Sequence, residues 1–539
     1  MGYSAHIDTF ARDHLPPRSE WPELVFSLPE LQYSERLNCA SELLDRMAAR
    51  HPERLCLQGA GLRWSYAELL EQANRIAHVL TQDMGLVPGN RVLLRAPNHP
   101  MLVAAWFAVM KTGGIAVTTM PLLRAKELTE VVNKAQVSHA LCDGRLREEL
   151  EHAQPNCPTL QQVIYWGEGG SLEARMAHKP THFANVETAS DDTCLIAFTS
   201  GTTGQPKGCM HFHRDVLAIC DTFGKHILRA TPDDVFIGSP PLAFTFGLGG
   251  LVLFPMRIGA SSVLLEKASP DLLLPAIAEY RASVVFTSPT AYRAMAAQAP
   301  KFDLASLRKC VSAGEPLPAS TRKLWKEATG IELIDGIGAT EMLHIFISHT
   351  EEEARPGATG KPVPGYQACV LDEAGHPLPP GQVGRLAVKG PTGCRYLADE
   401  RQRSYVQHGW NITGDAYLVD EEGYFVYQAR TDDMIVSAGY NIAGPEVEDA
   451  LLLHPAVAEC AVVGAPDPER GQIVKAYVVL RAGVEPSAAL VKELQDFVKQ
   501  KIAPYKYPRA IEFRESLPRT QTGKLQRYLL RKEAEQKRV

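Results

Sequence analysis

The chain has 539 residues, a length that predicts roughly three or four folding units around a deep hydrophobic core. Hydrophobic residues make up 45% and charged residues 22%, with 41 glycines and 38 prolines, which excludes a low-complexity or disordered chain. The net charge of −6 excludes a global basic field for nucleic acid or an anionic membrane, although a local basic site for phosphates remains open.

Nothing in the sequence indicates a membrane or secreted protein. The longest strongly apolar stretch, 101–110, is about half as long as a bilayer requires. The first residues carry acids and histidine where a signal peptide needs an apolar core. Eleven cysteines without any Cys-x-x-Cys spacing are typical of reduced thiols. We therefore expect a cytoplasmic protein.

Three residues of metal-binding types alternate along the chain at Cys209, His211 and His213. On a strand, this alternation would place all three side chains on one face. No fourth ligand lies nearby in the sequence, so a metal-free interpretation is favoured over a zinc site.

Between about residues 91 and 334, short apolar runs alternate with longer amphipathic or apolar stretches. This pattern predicts an α/β fold in which parallel sheets are flanked by helices on both faces. The predicted strands are 91–94, 115–118, 139–142, 193–198, 235–239, 262–265, 283–286, 308–312 and 332–334. The predicted helices are 101–111, 127–135, 215–228, 271–280 and 320–329.

Beyond about Thr350 the runs become shorter and are separated by glycine and proline turns, at 367–371, 385–389 and 424–427. They predict a small antiparallel unit that completes a large N-terminal domain, residues 1–431. The polar stretch 430–433 marks the main boundary. A compact α+β pattern follows and predicts a small C-terminal domain, residues 432–539.

The most informative segment is 199–208, which reads Thr-Ser-Gly-Thr-Thr-Gly-Gln-Pro-Lys-Gly and directly follows a predicted strand. Small residues let backbone N–H groups approach phosphate oxygens, and Lys207 supplies a positive charge. Pro206 and Gly208 stand where a Walker loop has its second glycine and its Mg²⁺-binding hydroxyl, so this is a different phosphate loop. Taken alone, the segment could also be a plain turn between a strand and a helix.

This segment resembles the signature of the adenylate-forming superfamily, which comprises acyl-CoA synthetases, adenylation domains and luciferases. Further segments resemble the other motifs of the superfamily in the same order: 313–316, 336–341, 413–415, 430–432, 437–442 and 518–524. The resemblance implies an acyl-CoA synthetase-like fold, in which the C-terminal domain is mobile and rotates about a hinge at Asp432.

The resemblance also implies the site residues. Lys207, Thr340, Glu341 and Lys524 are expected to be catalytic, and Glu341 is expected to bind Mg²⁺. The residues expected to bind the nucleotide or CoA are Thr199, Ser200, Gly201, Thr202, Thr203, Gly204, Gly314, Glu315, Pro316, Asp335, Gly336, Ile337, Asp415, Arg430 and Gly439. The residues expected to line the acyl pocket are Phe244, Thr245, Phe246, Gly247, Gly338, His344 and Ile345.

The chemistry of a carboxylic acid explains why such residues are needed. A carboxylate has a pKa of about 4, so it is anionic at pH 7 and a thiol cannot displace its oxygen directly. Attack on the α-phosphate of ATP would give an acyl adenylate, but it brings two anions together. Lys207, Mg²⁺ on Glu341, Thr340 and Lys524 are suited to offset that repulsion. The implied co-substrates are ATP and coenzyme A.

The runs 241–249 and 338–346 resemble those of benzoate-CoA and 2-aminobenzoate-CoA ligases, the aryl-CoA ligase branch. Phe244, Phe246, Met342 and Ile345 suit a flat apolar ring, and His344 can hydrogen-bond an ortho substituent or the carboxylate. A core histidine is the alternative for His344. The expected partners are therefore a small aromatic acid, ATP and CoA, without nucleic acid or membrane, for a monomer or homodimer.

Three other functions remain open at this point. The chain could load an aryl adenylate onto a free-standing carrier protein, or carry out a luciferase-like oxidation. It could also be a nucleotide-binding homologue without catalysis, although Lys524 and Glu341 argue against that. The sequence leaves the choice between benzoate and 2-aminobenzoate open.

Overall fold

The computed structural model describes residues 2–199, 206–437, 440–467, 470–502, 504–519 and 525–536, with the backbone alone at 432, 440 and 441. The strands are β1 (Leu55–Gly59), β2 (Leu62–Ser65), β3 (Arg91–Arg95), β4 (Ile115–Thr119), β5 (His139–Asp143), β6 (Gln162–Trp166), β7 (Thr193–Thr199), β8 (Lys207–Phe212), β9 (Val235–Gly238), β10 (Ser261–Val263), β11 (Val284–Thr287), β12 (Lys309–Ser312), β13 (Leu333–Gly338), β14 (Ile345–Ser348), β15 (Lys361–Pro362), β16 (Gln367–Leu371), β17 (Gly384–Lys389), β18 (Val406–Gln407), β19 (Trp410–Val419), β20 (Phe425–Arg430), β21 (Ile435–Ser437), β22 (Tyr440–Ile442), β23 (Val457–Asp467), β24 (Gly471–Leu480) and β25 (Ala510–Arg514).

The α-helices are α1 (Phe10–Asp13), α2 (Arg46–Arg50), α3 (Tyr66–His78), α4 (Pro100–Lys111), α5 (Ala125–Ala135), α6 (Arg147–Ala153), α7 (Leu172–Met176), α8 (His213–Ile219), α9 (Thr245–Leu248), α10 (Phe254–Ile258), α11 (Pro270–Glu279), α12 (Pro289–Ala296), α13 (Ala319–Thr329), α14 (Gln402–Tyr405), α15 (Gly444–Leu452), α16 (Ala488–Lys501) and α17 (Arg527–Gln536). Wider π-helical turns occur at Ser41–Asp45, Val79–Asp83, Cys220–Leu228 and Gly249–Leu253. Among the described residues, no helix combines the length and apolar character needed to cross a bilayer.

Two large sheets form the body of the N-terminal part. One has the strand order β6-β5-β3-β4-β7-β8 and the other β15-β14-β13-β12-β11-β9-β10-β1-β2. Pairing is parallel through most of each sheet. It is antiparallel at one edge of the first sheet, β7–β8, and at both edges of the second, β13–β14–β15 and β1–β2. Every residue of α4 is buried, and its apolar side chains share one core with residues of both sheets. The predicted α/β class with parallel sheets is confirmed.

The predicted antiparallel unit is the sheet β16-β17-β19-β18, with β20 paired to β19. The C-terminal part forms its own sheet, β22-β21-β24-β23, with β25 parallel to β24. Apolar residues between Ile435 and Ala534 make two clusters separate from the main core. Such a self-contained core is what an independently moving unit requires.

Two predicted elements differ from the structure in their extent. The helix predicted at 215–228 begins at His213 and passes into a π-helical turn at Cys220. The strand predicted at 332–334 continues to Gly338, because its second half pairs with β14. Segment 336–338 therefore lies at the edge of a sheet and is held in place by that pairing.

A buried ion pair fastens β8 and α8 to the segment that precedes α14. Arg395 and Asp215 are both fully buried and hydrogen-bonded to each other. The Asp215 carboxylate also accepts from the backbone N–H of Phe212 at 3.0 Å, and the Arg395 guanidinium lies 3.9 Å from the Phe212 ring centre. Burial alone raises the pKa of Asp215, but the attraction to Arg395 and the proximity of His211 lower it on balance.

Asp215→Asn is expected to destabilise the protein by about 3–5 kcal/mol, because it leaves the Arg395 charge buried without a counter-ion. Asp191→Asn is the matched control, since Asp191 belongs to an exposed pair with Arg18, and such pairs contribute about 0–1 kcal/mol. Denaturant unfolding followed by tryptophan fluorescence measures both variants. Equal midpoints for the two variants would show that the buried pair does not hold these segments together.

Candidate active site

The predicted phosphate loop joins the two antiparallel strands β7 and β8. Thr199 is the last residue of β7 and lies opposite Lys207, the first residue of β8. The segment therefore connects two strands of one hairpin and does not lead from a strand into a helix. The Thr199 hydroxyl is buried and makes no hydrogen bond within the described residues. Ser200, Gly201, Thr202, Thr203 and Gly204 lie outside those residues.

Lys207, Glu341 and Tyr396 meet beside the base of this hairpin. The Tyr396 hydroxyl donates to Glu341 Oε1 at 2.5 Å, and Lys207 Nζ donates to the Tyr396 hydroxyl oxygen at 2.8 Å. Lys207 Nζ lies 3.4 Å from the same Glu341 oxygen. Burial and the charge of Glu341 raise the pKa of Tyr396, so its hydroxyl stays protonated and able to donate.

Thr340 and Glu341 lie in a tight 3₁₀ turn, Thr340–Met342, between β13 and β14. The Thr340 carbonyl accepts a hydrogen bond from His211 Nε2 at 2.8 Å. The other ring nitrogen of His211 lies 3.7 Å from the Asp215 carboxylate. His211 therefore lies between the buried pair and the backbone of this turn, and among the described residues its ring hydrogen-bonds to the turn alone.

The residue after the turn, Leu343, has φ +69° and ψ −37°. A leucine in this region carries strain of order 1–3 kcal/mol, and such strain persists only where the surroundings enforce it. Leu343 is buried. Its conformation reverses the chain, so that Glu341 faces Lys207 while His344 lies among the rings of the predicted acyl pocket.

Asp415 and Arg430 lie opposite each other on β19 and β20. Arg430 Nη1 donates to Asp415 Oδ1 at 3.0 Å and to the Thr413 carbonyl at 3.3 Å. Burial raises the pKa of Asp415 although Arg430 opposes the shift, and the charge of Glu341 is close enough to add to it. The structure thus brings Asp415 and Arg430, two of the predicted nucleotide-binding residues, near Glu341.

The other predicted nucleotide residues lie at the ends of β12 and β13. The Glu315 carboxylate accepts from the backbone and hydroxyl of Thr290 at 3.3 and 3.0 Å. Gly314 and Pro316 flank it on an exposed turn, and Ile337 is partly exposed. Asp335 is different, because burial raises its pKa to about 7 and Oδ1 has no hydrogen bond among the described residues. Gly336 follows it as a buried residue of β13.

The predicted pocket segment begins at a short helix, α9, which Phe244 precedes and Thr245 begins. A side chain at Gly247 would bring Cβ within 2.1 Å of the Pro241 carbonyl oxygen, so only glycine fits there. Asn98 fixes the preceding loop by donating to the Pro240 carbonyl and accepting from the Leu242 N–H.

His344 lies in a box of aromatic rings. Its ring centre is 4.6 Å from that of Phe254 and 5.5, 5.6 and 6.4 Å from those of Phe223, Phe246 and Phe286. Only 3% of the residue is exposed, and neither ring nitrogen makes a hydrogen bond within the described residues. Burial lowers its pKa to about 3, so the ring is neutral at pH 7.

Gly249 faces this histidine. A Cβ at position 249 would lie 2.4 Å from His344 Cδ2 and 2.8 Å from Nε2. The imidazole ring therefore fits here because residue 249 has no side chain. Gly338 and Ile345, two other predicted pocket residues, pair with each other across β13 and β14. The predicted acyl-pocket segments 244–247 and 344–345 therefore do come together around one ring.

Lys524 and Gly439 lie outside the described residues, and only the backbone of Asp432 is described. Asp432 belongs to a 3₁₀ turn, Thr431–Asp433, between β20 and the first strand of the C-terminal sheet.

Cys209, His211 and His213 do not share one strand face, so that prediction was wrong for His213. β8 ends at Phe212, and His213 begins α8, where it contacts Cys39. Among the described residues, donor atoms of Cys39, Cys194 and His213 lie within 4.8 Å of one another, all buried. His211 instead holds Thr340, as described above.

Sequence reasoning missed Tyr396, Asn98, His211, Asp215 and Arg395 as contributors to this site. None belongs to a family motif given above, and Asp215 and Arg395 are 180 positions apart. No spacing or periodicity in the sequence links these residues to the site.

Two family models match most of the chain. The AMP-binding enzyme family matches residues 44–396, and the AMP-binding enzyme C-terminal domain matches residues 446–524. A benzoate-CoA ligase of Thauera aromatica is 34% identical, over 93% of this chain and 97% of its own.

Two solved structures are similar along almost their whole length. The anthranilate-CoA ligase AuaEII, in complex with anthranoyl-AMP, has a TM-score of 0.91 at 34% identity, over 94% of this chain and 99% of its own. A benzoate-CoA ligase from Burkholderia xenovorans LB400 has a TM-score of 0.84 at 32% identity, over 92% and 100%. The fold, the matched domains and these relatives together place the chain in the AMP-binding enzyme family, among the adenylate-forming aryl- and acyl-CoA ligases.

Proposed function

We propose that this protein is an ATP-dependent aryl-CoA ligase. It converts 2-aminobenzoate or benzoate to the CoA thioester through an aryl-AMP intermediate and releases pyrophosphate and AMP. The observation that carries the proposal is His344, neutral and without hydrogen bonds among the described residues, inside a box of phenylalanine rings. Relatives that act on benzoate and anthranilate support the same substrate class.

The unpaired histidine favours 2-aminobenzoate of the two acids. A buried polar group without a partner costs about 1–3 kcal/mol. An ortho-amino group can donate to a neutral imidazole nitrogen and offset that cost, whereas the unsubstituted ring of benzoate offers no such donor. The rings of Phe246 and Phe254 supply flat apolar walls for either acid.

In the first step, a carboxylate oxygen bonds to the α-phosphorus of ATP while the bond from that phosphorus to pyrophosphate breaks. Lys207 and Lys524 neutralise the two anions, and the N–H groups of loop 199–208 bind phosphate oxygens. Thr340 contacts the α-phosphate. The Asp415 carboxylate, which Arg430 also contacts, binds the ribose hydroxyls. The turn 314–316 lies against the adenine.

Glu341 fits the role of a Mg²⁺ ligand. Mg²⁺ is usually held by one or two carboxylates together with substrate phosphates, and Glu341 is a buried carboxylate beside the base of the phosphate loop. When bound there, the ion would supply positive charge to the phosphates. Glu341, for its part, is kept in place by Tyr396 and by the turn that His211 supports.

In the second step, the CoA thiolate bonds to the aryl carbonyl carbon and AMP leaves. We place the domain boundary at 431/432, with Asp432 as the pivot that exchanges Lys524 for the loop at Gly439. The separate core of the C-terminal sheet supports such a rotation.

Pyrophosphate release across a panel of acids tests the substrate class. We expect 2-aminobenzoate and benzoate to give the highest kcat/KM, followed by hydroxybenzoates and phenylacetate, with octanoate far lower because the ring-lined box suits a flat group. Wild-type enzyme without added acid is the blank. If octanoate gives a higher kcat/KM than every aryl acid, the aryl assignment is wrong.

His344→Leu is expected to lower kcat/KM for 2-aminobenzoate relative to benzoate by roughly 2- to 10-fold, because the lost hydrogen bond is worth about 0.5–1.5 kcal/mol. The KM for ATP should stay unchanged. An unchanged ranking of the two acids in a folded variant would make His344 a core residue.

The same variant has a second readout in the pH dependence of stability. The unfolded chain protonates His344 below about pH 6.5, whereas the folded state does so only near pH 3. His344 therefore lowers the free energy of unfolding as the pH falls through this window, by on the order of 1.4 kcal/mol per unit. His344→Leu should therefore make the free energy of unfolding decline less steeply between pH 7 and pH 5 than in wild type.

Lys524→Ala and Asp432→Pro together test the two-step scheme. Lys524→Ala should slow adenylation by roughly 10²–10³-fold yet still convert supplied aryl-AMP and CoA to thioester. Asp432→Pro fixes φ near −65° and should release one burst of pyrophosphate, then stall before thioester if the adenylating conformer is retained. The two half-reactions are measured separately.

Lys492→Ala is the control for the lysine variant, because Lys492 is exposed on α16. It should leave both half-reactions unchanged. Equal losses in both half-reactions for Lys524→Ala and Asp432→Pro would remove the case for domain alternation.

A further inference from the structure

The hydroxyl of Tyr396 stands between the two charged groups of the candidate site. It accepts from Lys207 Nζ at 2.8 Å and donates to Glu341 Oε1 at 2.5 Å, so a chain of two hydrogen bonds links the charges. The direct separation of Lys207 Nζ and Glu341 Oε1 is 3.4 Å. A direct charge-assisted hydrogen bond is shorter, about 2.7–2.9 Å.

We propose that Tyr396 is a positioning residue that keeps the 3.4 Å ion pair of Lys207 and Glu341 from shortening into a charge-assisted hydrogen bond. With the hydroxyl in place, the lysine charge stays available to phosphate and the carboxylate stays available to Mg²⁺. This inference rests on the proposed function, because it gives Lys207 and Glu341 the roles assigned there.

The surroundings of Tyr396 make it a rigid spacer. The residue is 1% exposed, and its ring packs with Cys209 and Cys394. The backbone N–H of Tyr396 donates to Gln402 at 2.9 Å. Its neighbour Arg395 is fixed by the buried pair with Asp215. Because these contacts hold the Tyr396 hydroxyl in place, it cannot move with Lys207 and Glu341 if their charged groups approach each other.

Removal of the hydroxyl takes away the group that each charge contacts at shorter range. Lys207 and Glu341 would then approach from 3.4 Å and form a short ion pair in a mostly buried site, where the attraction is stronger than in water. ATP and Mg²⁺ must then break that pair. The expected result is weaker binding of the metal–nucleotide complex and a raised KM for Mg²⁺-ATP.

Tyr405 provides a matched control. Its ring lies 5.8 Å from that of Tyr396 in an edge-to-face contact. Its buried hydroxyl makes no hydrogen bond within the described residues. Phenylalanine at either position keeps the ring and removes one oxygen, but only Tyr396→Phe removes the link between the two charges.

The experiment compares wild type, Tyr396→Phe and Tyr405→Phe by calorimetric titration with α,β-methylene ATP, with Mg²⁺ and with EDTA. We expect Tyr396→Phe to bind the Mg²⁺ complex about 10- to 100-fold more weakly. The KM for Mg²⁺-ATP should rise more than kcat falls. Tyr405→Phe should match wild type in both. A crystal structure of Tyr396→Phe should show Lys207 Nζ within about 3 Å of Glu341.

Equal affinities of the two variants for the Mg²⁺ complex, or an unchanged Lys207–Glu341 distance, would overturn the inference. If Tyr396→Phe does not fold, 3-fluorotyrosine at position 396 replaces it. This residue keeps the hydroxyl as a stronger donor and should retain wild-type affinity, whereas a loss of affinity would also overturn the inference.

Failure of the proposed function would look different. In that case wild-type enzyme would release no pyrophosphate with any acid, even though the nucleotide titrations still separated the two tyrosine variants. Conversely, active wild-type enzyme with indistinguishable tyrosine variants would reject only the role of Tyr396.

Discussion

The candidate site depends on the buried ion pair between Arg395 and Asp215. A fully buried ion pair is stable only when both of its partners are held in place. Here the residues around the pair extend in two directions. His211 lies against Asp215 and hydrogen-bonds to the carbonyl of Thr340, and Tyr396 follows Arg395 directly in the chain. Thr340 precedes Glu341 and Tyr396 donates to it, so the surroundings of the buried pair adjoin the carboxylate on which the proposed chemistry depends.

The sheets could be predicted from sequence because parallel strands buried on both faces appear as short apolar runs, and β3 and β5 are buried at every residue. The order of the motifs predicted the family. The frame around Glu341 could not be predicted, because its members come from β8, α8 and segment 395–396 and are brought together only by the fold. Its polar residues carry no pattern that periodicity can detect.

The packing of the segments proposed to line the acyl pocket could be predicted in part. The segments around Phe246 and His344 come together as expected, but the environment of the histidine was not evident from the sequence. Phe223 and Phe254 belong to helical segments distant in sequence from the motif, and Gly249 acts by having no side chain. The strained backbone at Leu343, between Glu341 and His344, was not evident from the sequence either. A positive φ is usually indicated by a glycine, and this residue is a leucine. Where two nearby residues of a site must face different substrates, the backbone between those residues stores strain.

Transfer of a carboxylate oxygen to AMP tests the central claim most directly. Enzyme is incubated with ATP, CoA and 2-aminobenzoate labelled with ¹⁸O in both carboxylate oxygens, and the products are analysed by mass spectrometry. The proposed aryl-AMP intermediate predicts one ¹⁸O in AMP and one in the thioester carbonyl, with unlabelled pyrophosphate. Label in inorganic phosphate with formation of ADP, or unlabelled AMP, would contradict it.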